Sequence, residues 1–233
     1  MYNLIELKET IAIDERKAVN CLICGSKTER IVHRKFGVGY NCCDNCGFIS
    51  KHEADRISPE DELKIYRRHN NSIDDPRYVA YFRDFIDTAV TDFLSEGRRG
   101  LDFGSGPTPV LAKILERDYG FNMEIYDSYF SPEKVFLGKK YNLITSTEVF
   151  EHLDEPIAYF KMLSDCLEDD GVLSVMTLFH PEDRQEFIEW YYMRDMSHIS
   201  FYTLDTMKRV SEIVSLNIVF TDNRRYTSFK LNR

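Results

Sequence analysis

The stretch Leu101-Asp102-Phe103-Gly104-Ser105-Gly106-Pro107-Thr108-Pro109 carries the strongest clue to the architecture of the chain. An apolar segment runs into two glycines and then into a helix start, with Thr108 as the expected cap and Pro109 in the first turn. The glycines remove Cβ atoms where a ligand can approach the backbone, and a helix N-terminus offers unpaired amide donors. A tight turn alone would look the same, so the glycines gain meaning only in company with a matching acid downstream.

That acid is present. Glu124-Ile125-Tyr126-Asp127 reads as a second strand ending in a carboxylate 21 residues after Gly106. A carboxylate at that strand tip can accept hydrogen bonds from both ribose hydroxyls of an adenosine cofactor lying across the strand ends. Dinucleotide enzymes share this layout, but their third glycine would fall at Pro109, which disfavours a nicotinamide-dependent oxidoreductase. An acid at Asp102, just before the turn, suits a ligand carrying an ammonium group. S-adenosylmethionine has one and carries no phosphate.

Apolar strands and helical segments then alternate, the pattern of a parallel sheet covered on both faces. Strands are expected at 100–103, 123–126, 141–146, 172–178, 217–221 and 226–231, and helices at 109–117, 156–167, 181–191 and 204–214. The last two strands are joined by a loop around Asp222-Asn223 too short for a crossover, so they should pair antiparallel. Upstream, Ser58-Pro59-Glu60-Asp61 marks a helix running to about His69. Val79, Phe82, Ile86, Val90 and Phe93 form the apolar face of another, which should dock on the following domain.

Asp102-x-Gly104-x-Gly106, Asp127 and the run Tyr141-Asn142-Leu143-Ile144-Thr145-Ser146-Thr147-Glu148-Val149-Phe150-Glu151-His152-Leu153 resemble successive motifs of class I S-adenosylmethionine-dependent methyltransferases, in their small-molecule branch. The likeness is densest over residues 97–178; Thr108 stands where many members have a third glycine. It implies an α/β fold with a Rossmann-like, mostly parallel sheet of class I methyltransferase type and an antiparallel C-terminal strand. It further implies that Asp102 helps hold the methionine amino group, that Gly104, Ser105 and Gly106 lie under the cofactor, and that Asp127 holds the ribose. Ser128 and Tyr129 would lie beside the adenine, and Thr147 and Glu148 would floor the pocket near the sulfonium.

Methyl transfer from a sulfonium is an in-line displacement, so a protein chiefly aligns donor and acceptor and removes a proton when the acceptor is weak. Two histidines are candidate bases. In the resembling enzymes a histidine placed like His198 often faces the substrate, although a structural histidine ahead of a Thr203-capped helix is an equal reading. His152, beside Glu151, suits a structural or cofactor-side role better. Trp190, Tyr191 and Tyr192 are candidates for a pocket wall or for core packing.

Cys21-Leu22-Ile23-Cys24-Gly25 and Cys43-Asp44-Asn45-Cys46-Gly47 form two knuckles with eighteen residues between them, a zinc-site spacing. Two-residue gaps let four thiolates converge on one tetrahedral ion, and the following glycines permit the turns. Four protein ligands leave no open position, so the zinc is expected to be structural, folding a loop-rich, zinc-ribbon-like module. Cys42 reads as spare and His33 as a lesser alternative ligand. In the resembling methyltransferases such N-terminal modules can cover the acceptor site. The expected organisation is a zinc module over 1–55, a helical linker over 56–96 and a methyltransferase domain over 97–233.

A net charge of −9, from 30 basic and 39 acidic residues, disfavours nucleic acid as the main partner. No leader-like or membrane-spanning run is visible, and paired cysteines suit a reducing compartment, so a cytoplasmic protein with no membrane partner is expected. The oligomeric state is left open. The leading function is methyl transfer to a small-molecule acceptor at O, N or C. The alternatives are an RNA base methyltransferase and a catalytically silent interaction protein on the same scaffold.

Overall fold

The computed structural model describes residues 11–13, 19–68 and 71–232. An antiparallel sheet opens the chain: β1 (Ile11–Ile13), β2 (Glu29–His33), β3 (Val38–Cys42) and β4 (Ile49–Lys51). Two helices follow, α1 (Pro59–Tyr66) and α2 (Pro76–Ala89), whose caps Ser58 and Asp75 accept from Asp61 N and Arg77 N. The end expected for the first of them near His69 lies outside the described residues; α1 stops at Tyr66.

The remaining elements are β5 (Arg99–Phe103), α3 (Val110–Tyr119), β6 (Asn122–Tyr126), β7 (Tyr141–Thr147), α4 (Pro156–Asp165), β8 (Leu167–Met176), α5 (Arg184–Glu189), β9 (Ser200–Phe201), α6 (Leu204–Ile213), β10 (Leu216–Thr221) and β11 (Tyr226–Leu231). Six of the strands form one sheet in the order β10-β11-β8-β7-β5-β6. β5 through β8 are parallel, and β11 runs antiparallel to both β8 and β10, as the short loop requires. β6 pairs on one side of β5 and β7 on the other, which makes the carboxyl end of β5 the switch point where open α/β sheets bind ligands.

Helices cover both faces, so Leu101, Leu143, Ile144, Leu173 and Val175 are all fully buried. On one face Phe82, Phe85, Ile86 and Ala89 of α2 pack with Val110, Leu111, Ile114 and Leu115 of α3. On the other, Phe160 and Leu163 of α4 meet Met207 and Val210 of α6. None of the described helices is long and apolar enough to cross a membrane.

Three local expectations are corrected. Thr108 does not cap α3: the cap position is Pro109, with no side-chain bond, and the helix begins at Val110. β8 starts five residues before Val172, because the turn-like Glu168-Asp169-Asp170-Gly171 stays in the strand next to an irregularity opposite Tyr141. A Cβ at Gly171 would lie 2.7 Å from Tyr141 O, so only glycine fits that close approach. α5 is also shorter than 181–191: Asp183 caps it by accepting from Gln185 N and Glu186 N, and extended backbone at Trp190 ends it.

The N-terminal segment is a sheet, where loops were expected, and its fifth strand comes from far away. β4 pairs with β9, Ile49 opposite Phe201 and Ser50 opposite Ser200. Thr203 caps α6 in a reciprocal box with Thr206, whose hydroxyl also donates to Cys46 O at 2.8 Å. Thr203→Ala should cost about 1–2 kcal/mol by loss of that cap. The expected fall in melting temperature is roughly 2–8 °C, read by thermal denaturation against the parent chain.

Candidate active site

A cavity of about 1030 Å³ opens at the carboxyl ends of β5, β6 and β7. Asp102, in the penultimate position of β5, is 2% exposed, and its Oδ1 accepts from Thr145 Oγ1 at 2.9 Å. Burial raises its pKa to about 7, against the Thr145 bond and together with the nearby Asp127 charge. Such a carboxyl is poised to gain from a cation placed before it.

The next residues turn sharply. Gly104 and Ser105 both donate backbone N–H to Tyr126 O, at 2.7 and 3.1 Å, tying the loop to the end of β6. Gly104 sits at φ 86°, and a Cβ there would lie 2.1 Å from Val149 Cγ2. Gly106, at φ 67°, differs: a Cβ would meet only Asn71 Nδ2, at 4.0 Å, so its backbone faces open space. Gly106 N donates to Asp127 Oδ2 at 2.9 Å, while Asp127 Oδ1 accepts from Tyr129 N and Phe130 N at 2.9 and 3.0 Å. One carboxylate therefore clips two loops together across the cavity floor.

Ser128 and Tyr129 line the same cavity. Tyr129 OH donates to Glu62 Oε2 at 2.5 Å and Tyr66 OH to Glu62 Oε1 at 2.6 Å, so α1 lies over the site as a roof. Thr147 and Glu148 line the other end. Glu148 adopts φ 53°, an unfavourable left-handed conformation for a non-glycine residue. Its Oε1 accepts from Tyr81 OH at 2.9 Å, and Tyr192 OH lies 2.8 Å from its Oε2 and 2.6 Å from Glu151 Oε1. A phenol has one proton to give, so two close carboxylates around it call for a second proton or a cation. Burial, reinforced by the Glu151 charge, pushes Glu148 up to about 8, and burial raises Glu151 as well.

Both histidines face this end. His152 Nδ1 is 3.1 Å from Ser197 O and His198 Nδ1 is 2.8 Å from Tyr192 O. A carbonyl oxygen only accepts, so each Nδ1 carries the proton and each Nε2 keeps its lone pair. The rings lie 4.8 Å apart, centroid to centroid. Burial lowers His152, and burial together with the neighbouring His152 drives His198 down to about 3, so the imidazole of His198 is neutral at physiological pH.

The structure brings Asp102, Gly104, Ser105, Gly106, Asp127, Ser128, Tyr129, Thr147, Glu148, His152 and His198 to one cavity. Tyr191 and Tyr192 line it too, whereas Trp190 packs against the apolar cluster of the N-terminal sheet. Sequence reasoning missed Glu62, Tyr66, Tyr78 and Tyr81, which complete the wall from α1 and α2. A usable signal was tyrosines at a spacing of three beside the apolar face of α2.

The four knuckle cysteines converge elsewhere. Sγ separations are 3.6 Å for Cys21–Cys46, 3.5 Å for Cys24–Cys43 and 3.6 Å for Cys43–Cys46, and all four sulfurs lie within 4.8 Å of one another. A tetrahedron with metal–sulfur bonds of about 2.3 Å has edges of about 3.8 Å, while a disulfide needs about 2.05 Å. Gly25 and Gly47 take positive φ and return their N–H to Cys21 O and Cys43 O, and Ile23 N donates to Cys21 Sγ. Cys42 stays outside the cluster, buried in β3. The knuckles rest on the larger domain: His180 Nε2 lies 2.6 Å from Gly47 O, and Lys51 Nζ donates to Met196 O at 2.7 Å.

The switch-point cavity, its acid-glycine loop and the mixed sheet define a class I S-adenosylmethionine-dependent methyltransferase. The chain belongs to the Methyltransferase domain family, matched over residues 73–219. Its fold is similar to that of the mitomycin 7-O-methyltransferase MmcR, at 12% identity over 74% of this chain and 67% of that one, with a TM-score of 0.51. Looser likenesses are to LaPhzM (13% identity, 74% of this chain and 59% of that one, TM-score 0.47) and to an O-methyltransferase family protein from Burkholderia thailandensis (11%, 74% and 68%, TM-score 0.46). The chain thus spans about two thirds of MmcR and less of LaPhzM. No curated protein matches the sequence.

Proposed function

We propose that the protein transfers the methyl group of S-adenosylmethionine to a small-molecule acceptor. The observation that carries this reading is the single cavity of about 1030 Å³, with the acid-glycine loop at one end and the two neutral imidazoles at the other. Pockets for one small ligand commonly span about 300–1000 Å³, so this one has room for a donor and an acceptor side by side.

The residues present fit the cofactor. Asp102, whose buried carboxyl favours a neighbouring cation, takes the methionine ammonium. The open backbone face at Gly106 cradles the cofactor, and Asp127, with lone pairs remaining beside its three amide bonds, takes the ribose hydroxyls. Ser128 and Tyr129 border the adenine, and Thr147 and Glu148 form the floor towards the acceptor. When bound, the cofactor supplies an electrophilic methyl on a sulfonium. The protein's own share is alignment and exclusion of water by the roof of α1, which holds the reacting atoms together. His152 and His198 present unprotonated Nε2 atoms to the acceptor.

The zinc module over 1–55, the helical linker over 56–96 and the catalytic domain over 97–233 remain our division of the chain. The tetrad of Cys21, Cys24, Cys43 and Cys46 holds a structural zinc. The convergence of the four sulfurs within 4.8 Å of one another supports this, because four thiolates so close together need a divalent ion to coexist. The purified protein should contain about one zinc per chain by elemental analysis after dialysis.

The test is a labelled-methyl transfer screen against fractionated metabolites and, separately, total RNA. Label appearing in a low-molecular-weight product supports the proposal. Label confined to RNA, or none in any fraction while the cofactor binds, overturns the small-molecule acceptor.

A further inference from the structure

The geometry points to a second metal site, on the acceptor side of the cavity, in which Glu151, His152 and His198 bind a divalent first-row transition ion such as Mn2+. This inference rests on the methyltransferase reading and narrows its acceptor to a hydroxylated compound that coordinates the ion through oxygen. One ligand atom from each of the three residues lies within 4.8 Å of the other two.

Several features make this a built site. Both rings give their Nδ1 protons to backbone carbonyls, Ser197 O and Tyr192 O, which is the arrangement that fixes a metal-binding imidazole with its Nε2 lone pair outward. Glu151 is fully buried, and its Oε2 has no hydrogen-bond partner although its Oε1 has the Tyr192 hydroxyl. A buried carboxylate oxygen without a partner is costly, and either an ion or a proton shared with Glu148 relieves it; the two imidazoles beside it favour the ion. Glu148 brings a second carboxylate against the same phenol. Among the described residues no salt bridge reaches Glu148 or Glu151 within 4.0 Å; Arg225, over the Tyr81 ring, meets Glu148 only at longer range.

The two segments that carry the ligands are also locked to each other. Ile199 N donates to Glu151 O at 2.7 Å and Ser200 Oγ to Leu153 O at 2.6 Å, so the turn Phe150–His152 and the approach to β9 move as one body. A ligand set fixed by such bonds loses little conformational freedom on taking up the ion.

Two imidazoles and one carboxylate select an ion of mixed nitrogen and oxygen preference and leave coordination positions open. His152 and His198 line the cavity, so those positions open towards the acceptor. An ion there would hold an acceptor oxygen and lower its pKa, with the hydroxyl proton passing to solvent.

Manganese binding is measured by the loss of free Mn2+ electron paramagnetic resonance signal on titrating protein that carries one zinc per chain, with no cofactor or acceptor present. One Mn2+ per chain is expected, with affinity reduced at least about tenfold in Glu151→Gln and in His198→Gln. His152→Gln serves as the third variant should either of these fail to fold, which thermal melting reports. Unaltered Mn2+ signal with parent protein that binds S-adenosylmethionine in calorimetry overturns the site, as does equal Mn2+ affinity in folded variants. Mn2+ binding without S-adenosylmethionine binding would support the ion site while refuting the methyltransferase reading beneath it.

Discussion

Asp127→Ala is expected to weaken S-adenosylmethionine binding by about two orders of magnitude, close to 3 kcal/mol. The carboxylate of Asp127 accepts from Gly106 N on one oxygen and from Tyr129 N and Phe130 N on the other. Hydrogen bonds to a charged acceptor contribute about 1.5–3 kcal/mol each. Alanine removes the proposed ribose acceptor and also frees the glycine loop from the loop after β6, so the cofactor must organise both on binding. The binding loss should therefore exceed that from a ribose contact alone. Asp127→Asn keeps one side-chain oxygen and should fall between the two. Calorimetric titration of parent, Asn and Ala chains, beside their melting curves, checks the order; equal affinity in parent and Ala would remove Asp127 from the cofactor site.

The second large effect should come from Cys43→Ser. Structural zinc contributes an apparent 10–16 kcal/mol in small zinc-folded peptides, more than the whole stability of most domains. Losing one thiolate of four would open the knuckle that leans on the cap of α6, where a Cβ at Gly47 would already lie 2.5 Å from Thr203 Oγ1. Because β4 pairs with β9, the damage should travel to Ser200 and Phe201 and so to His198, two residues upstream. The expected outcome is release of zinc, a melting temperature lower by more than 10 °C on the roughly 2–4 °C per kcal/mol scale, and lost methyl transfer. Zinc release read by a chromogenic chelator, with near-ultraviolet circular dichroism for tertiary structure, tests it. A Cys43→Ser chain with parental melting and activity would contradict the bracing role.

The glycine loop, the strand tips and the cysteine knuckles were legible because their chemistry is local: a turn, an acid or a thiolate pair is specified within a few residues. Thr203 was readable as a cap for the same reason. β4 and β9 were not, since three- and two-residue strands carry no periodicity and acquire their conformation only from each other. Glu62, Tyr66, Tyr78 and Tyr81 were missed because nothing within α1 and α2 says which flank ends above the cavity. That is set by how Phe82, Phe85 and Ile86 settle on α3. Thr108 misled because a hydroxyl before a proline imitates a cap, while the chain postpones the helix by one residue.

The strand that β9 lends to the N-terminal sheet bears on how the protein is made. Some 150 residues separate Lys51 from Phe201, and at roughly 5–20 residues per second the ribosome needs about 8–30 s to deliver the missing partner. Throughout that interval the nascent sheet keeps one side unpaired, a surface to which another growing chain or a chaperone can bind. Synthesis of this enzyme is therefore expected to be most vulnerable to aggregation until Ser200 and Phe201 emerge.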